Sequence, residues 1–228
     1  IYQFDTTGNL SRIVTISNGS NIDWEDMTKD DYGNVYVGDF GNNDNDRQDL
    51  VIYKIAASDL SGSNNNISAS RIEFSFPEQT AFPPPESEHF YDVESMFSKG
   101  NYLYLLTRDR SKPFVGKTVL YRIPNTVGVY DAEYLNEFLT DSKKSVGQIT
   151  AADLSPDGRV LAMISNEKMW LFQNITDEDF FGAEVLSVNL PLQLDMEGLV
   201  FQGDCTIFMS NEDKPNDPAI LYRVTLCK

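Results

Sequence analysis

The chain has 228 residues, with 18 Lys and Arg against 35 Asp and Glu, giving a formal net charge of −17. With 41% apolar and 12% aromatic residues it has the makings of a packed globule, and a disordered acidic chain is excluded. The charge argues against a nucleic-acid or anionic-membrane partner, since both need positive potential, and no apolar run nears the ~18 residues of a membrane span.

In chain order, Ile1-Tyr2-Gln3-Phe4 has no leader pattern, so any targeting segment is expected to have been removed. Short apolar or alternating runs follow, punctuated by Asn, Gly, Asp, Ser and Pro. Val35–Val37, Val51–Ile55, Arg71–Phe76, Leu103–Thr107 and Thr206–Ser210 all read as strands. The best helical candidate, Asp131–Phe138, is short. The fold class is all-β.

Self-similarity sets the architecture. Asp, an apolar residue and Glu recur as Asp23-Trp24-Glu25, Asp92-Val93-Glu94 and Asp195-Met196-Glu197. In each copy a second strand ends 13 to 14 residues after the Glu, at Gly38-Asp39, Thr107-Arg108 and Ser210-Asn211. A third strand then follows, as Ile52-Tyr53-Lys54-Ile55, Leu120-Tyr121-Arg122-Ile123 and Leu221-Tyr222-Arg223-Val224. A degenerate copy fits between the last two, with Thr150-Ala151-Ala152 in the first strand, Ser165-Asn166 closing the second and Met169–Phe172 as the third. Fourth strands are expected at Arg71–Phe76, Tyr134–Leu139 and Val185–Leu190.

Four-stranded antiparallel units repeating in this way predict a β-propeller. A single domain spans 1–228, with the end of a partial blade at 1–20 and blades at 21–78, 88–140, 147–191 and 193–228. Ile1–Phe4 matches a third strand and Leu10–Ile16 a fourth. The N-terminal blade is therefore expected to be incomplete, and the parent propeller to have five or six blades.

Asp23-Trp24-Glu25-Asp26-Met27 with Tyr36-Val37-Gly38-Asp39-Phe40-Gly41-Asn42-Asn43 resembles a family of largely uncharacterised exported propellers of Bacteroidetes-type bacteria. Asp92–Met96, Thr150–Gly158 and Glu197-Gly198-Leu199 look like that family's later repeats, so the likeness runs along nearly the whole chain. More distantly the chain is similar to gluconolactonase, regucalcin and NHL-type six-bladed propellers, and to calcium-dependent nucleotidase propellers. In the lactonase and nucleotidase groups, glutamates on the inner strands hold an axial divalent cation. The resemblance implies a propeller and a metal option, with Glu197-Gly198 similar to the opening of a lactonase-type site. Ala152 departs from the pattern, and no full lactonase ligand set is found.

Alternation along an inner strand predicts that Asp23 and Glu25 share a face, with Trp24, Val93 and Met196 packed between blades. Glu25, Glu94 and Glu197 then converge on the channel as candidate metal ligands, oxygen donors that suit Ca²⁺ or Mg²⁺. Asp39 and His89 are the candidate catalytic groups, and Arg108, Asn166 and Asn211 the candidate ligand-binding groups at the same mouth. Arg108 could instead neutralise the carboxylates, and the Asp residues could cap turns. The loop Asn42–Arg47 reads as a solvated turn lacking the Gly and closing Glu of a calcium loop. Phe82, Phe90, Tyr91 and Phe114 are candidates for a ligand-facing wall or for packing between blades.

If Ser210 lies opposite Tyr222, Cys205 falls opposite Cys227 and a disulfide between them is expected. That points to an oxidising compartment, periplasm or cell surface. The function expected is a monomeric, exported recognition module for a small-molecule, carbohydrate or peptide ligand. The alternative is a metal-dependent hydrolase of the lactonase or phosphoesterase kind.

Overall fold

The computed structural model describes residues 1–5, 8–190, 195–215 and 218–226. β1 (Tyr2–Phe4) and β2 (Leu10–Ile13) form a two-stranded antiparallel sheet, and β3 (Thr15–Ile16) continues from it. The first blade holds β4 (Trp24–Lys29), β5 (Val35–Asp39), β6 (Val51–Ile55) and, after the short β7 (Asn66–Ile67), β8 (Ser70–Ser75). The second holds β9 (Asp92–Lys99), β10 (Tyr102–Arg108), β11 (Lys117–Pro124) and, after β12 (Gly128–Asp131), β13 (Glu133–Leu139). The third is β14 (Ala151–Leu154), β15 (Leu161–Ile164), β16 (Lys168–Gln173) and β17 (Glu184–Asn189). The last has β18 (Met196–Phe201), β19 (Thr206–Asn211) and β20 (Leu221–Thr225). Each blade is an antiparallel meander in sequence order, and β4, β9, β14 and β18 are neighbours along the channel. The fold is an all-β propeller with four blades among the described residues.

The cores lie between the blades. Tyr36, Ile52, Phe74, Val93, Leu103 and Tyr121 join the first blade to the second. Phe97, Tyr104, Leu120, Met163, Trp170 and Phe180 join the second to the third. Ala162, Leu171, Met196, Ile207 and Met209 join the third to the last. Strands such as β10 are buried on both faces, which explains why Leu103-Tyr104-Leu105-Leu106 runs apolar without alternating. Val93 and Met196 pack between blades, and Trp24 is half-buried against Tyr53, 6.1 Å between ring centroids.

Two expectations are corrected. Residues 131–138 form no helix: Asp131 ends β12 and 133–138 belong to β13, because β13 pairs with β11 and tertiary pairing overrides a weak helical pattern. In the last blade Met209 faces Tyr222 and Ser210 faces Leu221, one residue away from the register expected. Cys205 consequently lies across from Leu226, whose N–H donates to the Cys205 carbonyl at 2.8 Å. Cys205 is nonetheless disulfide-bonded, while Cys227 lies outside the described residues. A cleft of about 320 Å³, lined by Ile1, Trp24, Met27, Leu199, Val200 and Leu221, separates β4 from the last blade.

Candidate functional site at the channel mouth

The recurring glutamates occupy a special place in the backbone. In β4 the ladder passes from Trp24 to Asp26, in β9 from Val93 to Ser95 and in β18 from Met196 to Gly198, so Glu25, Glu94 and Glu197 are each the extra residue of a β-bulge. A bulge breaks the two-residue alternation and re-aims a side chain. In β14, where Ala152 stands in that position, the ladder to β15 runs without interruption. The bulge and the carboxylate occur together, and the simple alternation expected for Asp23 and Glu25 does not apply.

The three glutamates feel one another and two arginines. Arg108 Nη1 donates to Glu94 Oε2 at 3.1 Å, and Arg110 Nη2 to Glu94 Oε1 at 2.8 Å. Arg110 Nε also donates to Asp92 Oδ2 at 2.5 Å, while the Asn42 amide donates to Asp92 Oδ1 at 2.6 Å. Arg108 Nη2 reaches Gln148 Oε1 at 3.4 Å, and its Nε, buried, has no partner. Burial and then Asp92 push the Glu94 carboxyl well above its usual range, with Arg108 and Arg110 acting the other way. Burial opposes charge on Arg110, but Asp92 and Glu94 hold its guanidinium above the ordinary value.

Glu25 is pushed up to about 8, first by burial, then by repulsion from Asp23, Asp92 and Glu197, and by a hydrogen bond with Asp23. Glu197 is also raised by burial, with Arg108 pulling back and Glu212 adding to the rise. The mouth therefore combines acid and base, and burial among neighbouring carboxylates favours the neutral form of Glu25.

The segment Gly38–Asn43 builds this mouth. A Cβ at Gly38 would overlap the Phe40 ring, and one at Gly41 would strike the carboxylates of Asp23 and Glu25. Asp39 is fully buried and accepts from the amides of Ile22 and Asp23 and from Arg47 Nη2 at 3.2 Å. The Asn42–Arg47 loop is only partly a solvated turn. Asn42 and Asn45 are buried, and Asn45 Oδ1 accepts from the Tyr91 amide at 2.8 Å, stapling the loop to the second blade.

Of the remaining candidates only Arg108 opens to the channel. Asn166 is committed to Asp195 and the Met196 amide, and Asn211 to the Ile220 amide and the Glu212 and Pro218 carbonyls. A one-residue offset separates these roles. Asp39 and Asn211 face the apolar residues Trp24 and Met196 across their ladders, whereas Arg108 faces Asp92 and is thereby turned to the other face. His89 Nε2 lies 3.0 Å from the Pro84 carbonyl, and the His89 carbonyl accepts from the Arg110 amide, so the histidine braces the loop that presents Arg110. Phe90 and Tyr91 pack on the core between the first two blades, and Phe82 is 40% exposed. Arg110 was not among the sequence candidates. Its signal was the Arg-Asp-Arg spacing 108–110, which returns a second arginine to the same side of an extended strand.

The donor set does not fit a lactonase-type metal centre as it stands. Both Glu94 oxygens are taken by guanidinium groups, and no three His, Cys, Asp or Glu side chains among the described residues are placed to hold a metal ion.

No family model and no curated protein matches the sequence. Among solved structures, a Trypanosoma rangeli sialidase in complex with the inhibitor DANA aligns with a TM-score of 0.46 and 10% identity, over 97% of this chain and 38% of that one. A 6-phosphogluconolactonase-like protein of Bacteroides uniformis aligns with a TM-score of 0.42 and 12% identity, over 86% of this chain and 69% of that one. The chain thus spans well under half of the sialidase's length. The assignment of the fold rests on the strand order and blade packing described above.

Proposed function

We propose that the channel mouth is a recognition site for a small polyhydroxylated ligand, a carbohydrate in the first instance. The observation that carries this reading is the pairing of Glu94 with Arg108 and Arg110, beside Glu197, on which both arginines act, and Glu25, which acts on Arg110. Carboxylates accept from hydroxyl groups and guanidiniums donate to their oxygens, so adjacent hydroxyls of a sugar would meet both partners. A peptide or other small polar molecule shares part of this chemistry and ranks after the sugar. The disulfide-bonded state of Cys205 supports the accompanying proposal that the protein is exported to an oxidising compartment, as in the bacterial propeller family that its motifs resemble.

The test is calorimetric titration of a panel of neutral and acidic mono- and oligosaccharides, repeated with Arg108→Gln. Binding that weakens roughly tenfold or more in the variant, as expected for loss of a charge-assisted hydrogen bond, supports the proposal. Identical affinities in both proteins, or no binding across the panel, reject it.

The rival occupant is a divalent cation serving a hydrolase. What favours it is the mutual repulsion of Asp23, Glu25, Asp92 and Glu197, which a cation would relieve. Against it stand the two arginines already paired with Glu94. EDTA is expected to leave the melting temperature unchanged. A calcium-dependent rise, which mass action demands of any cation bound to the native state, would replace the sugar reading with this one.

A further inference from the structure

The third blade reaches the mouth by a route that the repeat does not show. Its axial position holds the buried Ala152 instead of a glutamate, and its polar contribution comes from Gln148, four residues earlier and just ahead of β14. Gln148 is 8% exposed and commits both ends of its amide to the second blade. Its Nε2 donates to the Asp109 carbonyl at 2.7 Å, and its Oε1 accepts from Arg108 Nη2 at 3.4 Å.

Asp109 stands between the two arginines of the mouth, and its buried carboxylate gathers the loop from β10 to β11. Oδ1 accepts from the Ser111 amide at 2.7 Å, and Oδ2 from the amides of Val115, Gly116 and Lys117 at 3.2, 2.7 and 3.0 Å. The same loop is fastened to the segment that leads into Gln148. The Thr140 amide donates to the Gly116 carbonyl at 2.8 Å, and the Thr140 hydroxyl lies 3.0 Å from that carbonyl and 2.7 Å from the carbonyl of Gly147. A Cβ at Gly116 or at Gly147 would strike the Asp141 carbonyl, so the two stretches of backbone touch directly. On its other side the arginine pair is held by the Arg110 amide, which donates to the His89 carbonyl at 3.0 Å.

We infer that Gln148 and Asp109 are positioning residues for the two guanidinium groups, and that the neutral amide of Gln148 leaves Arg108 its charge for a ligand. The inference rests on the reading of the mouth as a recognition site. A guanidinium carries two N–H groups on each terminal nitrogen. Glu94 takes one from Nη1 and Gln148 one from Nη2, which fixes the plane of the group and leaves the second N–H of each for ligand oxygens. The Arg108 side chain keeps 16% exposure, so the group is reachable from the mouth. A long side chain already held in place loses less freedom when a ligand arrives. A carboxylate at position 148 would hold Arg108 as firmly but compete with the ligand for its charge, since Arg108 and Arg110 already face Asp92 and Glu94.

Nitrogen-15 relaxation of the arginine Nε–H groups in the ligand-free protein tests the positioning, and calorimetric titration of the mono- and oligosaccharide panel tests its consequence. In the unmodified protein the Arg108 side chain is expected to be as ordered as the backbone, in contrast to the exposed Arg223. Gln148→Met keeps the length of the side chain and removes both bonds. In it Arg108 should gain mobility, and a sugar that binds the unmodified protein should bind roughly two- to tenfold more weakly, the cost of ordering one long side chain on binding. Gln148→Glu should keep Arg108 ordered and still lose affinity. Equal mobility of Arg108 and Arg223 in the unmodified protein overturns the inference, even if neither variant folds. So does a Gln148→Met variant that melts lower while Arg108 stays ordered, which marks a role in stability alone, and so does an affinity unchanged in both variants. If no sugar of the panel binds, the recognition reading falls, and the relaxation data by themselves decide whether Gln148 holds Arg108.

Discussion

At the scale of residues, the mouth is a balance between burial and pairing, and Arg110 holds it. Its guanidinium satisfies Asp92, which is fully buried, and one oxygen of Glu94, which is 3% exposed. Arg110→Ala would leave two carboxylates buried without their partner, and such losses cost about 3–5 kcal/mol. Urea denaturation should register a fall of that size. A change below about 1 kcal/mol would mean that Arg108 and solvent suffice. The opposite behaviour belongs to Glu25. Its folded pKa of about 8 lies above the unfolded value near 4.5, so the native state binds more protons throughout that interval and stability falls as pH rises through it. Asp153, raised by burial to about 6, adds a similar loss between about 3.8 and 6. Melting temperature should therefore decline from pH 5 to pH 8, and Glu25→Gln should flatten the upper part of that decline. A melting temperature that climbs over this range would contradict the raised pKa of Glu25.

At the scale of elements, the inner strands are tied by carboxylates one position beyond the Glu of the repeat. Asp26 of β4 accepts from the Met96 amide of β9 at 2.6 Å, and Asp153 of β14 from the Phe201 amide of β18 at 2.8 Å. Burial drives both carboxyls up, Asp26 well above its usual value, while the amide bonds pull back. The equivalent residue of β9 is Ser95, fully buried, whose hydroxyl has no partner. Ser95→Ala should consequently be neutral or stabilising by about 1 kcal/mol, since it removes a desolvated hydroxyl that makes no bond. A destabilisation of that size, measured by thermal melting, would reveal a bond that the hydroxyl makes in solution. Repeats of this kind make blades legible from sequence, because every copy obeys the same period. What they hide is displacement by one residue. The bulges at Glu25, Glu94 and Glu197, the offset that separates Arg108 from Asp39 and Asn211, and the Met209–Tyr222 pairing are all single-residue shifts. Each changes which face a side chain meets without changing composition or spacing. Likewise β12 was unreadable, because a four-residue strand on a neighbouring blade draws its stability from long-range pairing rather than from its own pattern.

At the scale of the whole molecule, packing is graded around the ring. The second blade is enclosed by a neighbour on each side, and its β10 is buried along most of its length. The last blade meets the third on one side and the cleft beside β4 on the other, so β20 is exposed or half-exposed at every position and β1 is exposed throughout. Local opening free energy follows buried apolar contact. Unfolding should therefore begin at the cleft, with β1, β2 and β20 opening while β9–β11 remain closed. Native-state hydrogen exchange in low denaturant should show this as a gradient. Amides of β5 and β9–β11 would exchange only by global unfolding, and those of β1, β2 and β20 by openings that cost several kcal/mol less. Cys205, in the turn before β19, is disulfide-bonded, so reduction should lower protection in β19 and leave the second blade unchanged. Uniform protection across all blades would show instead that the ring behaves as one cooperative unit, with the cleft closed in solution.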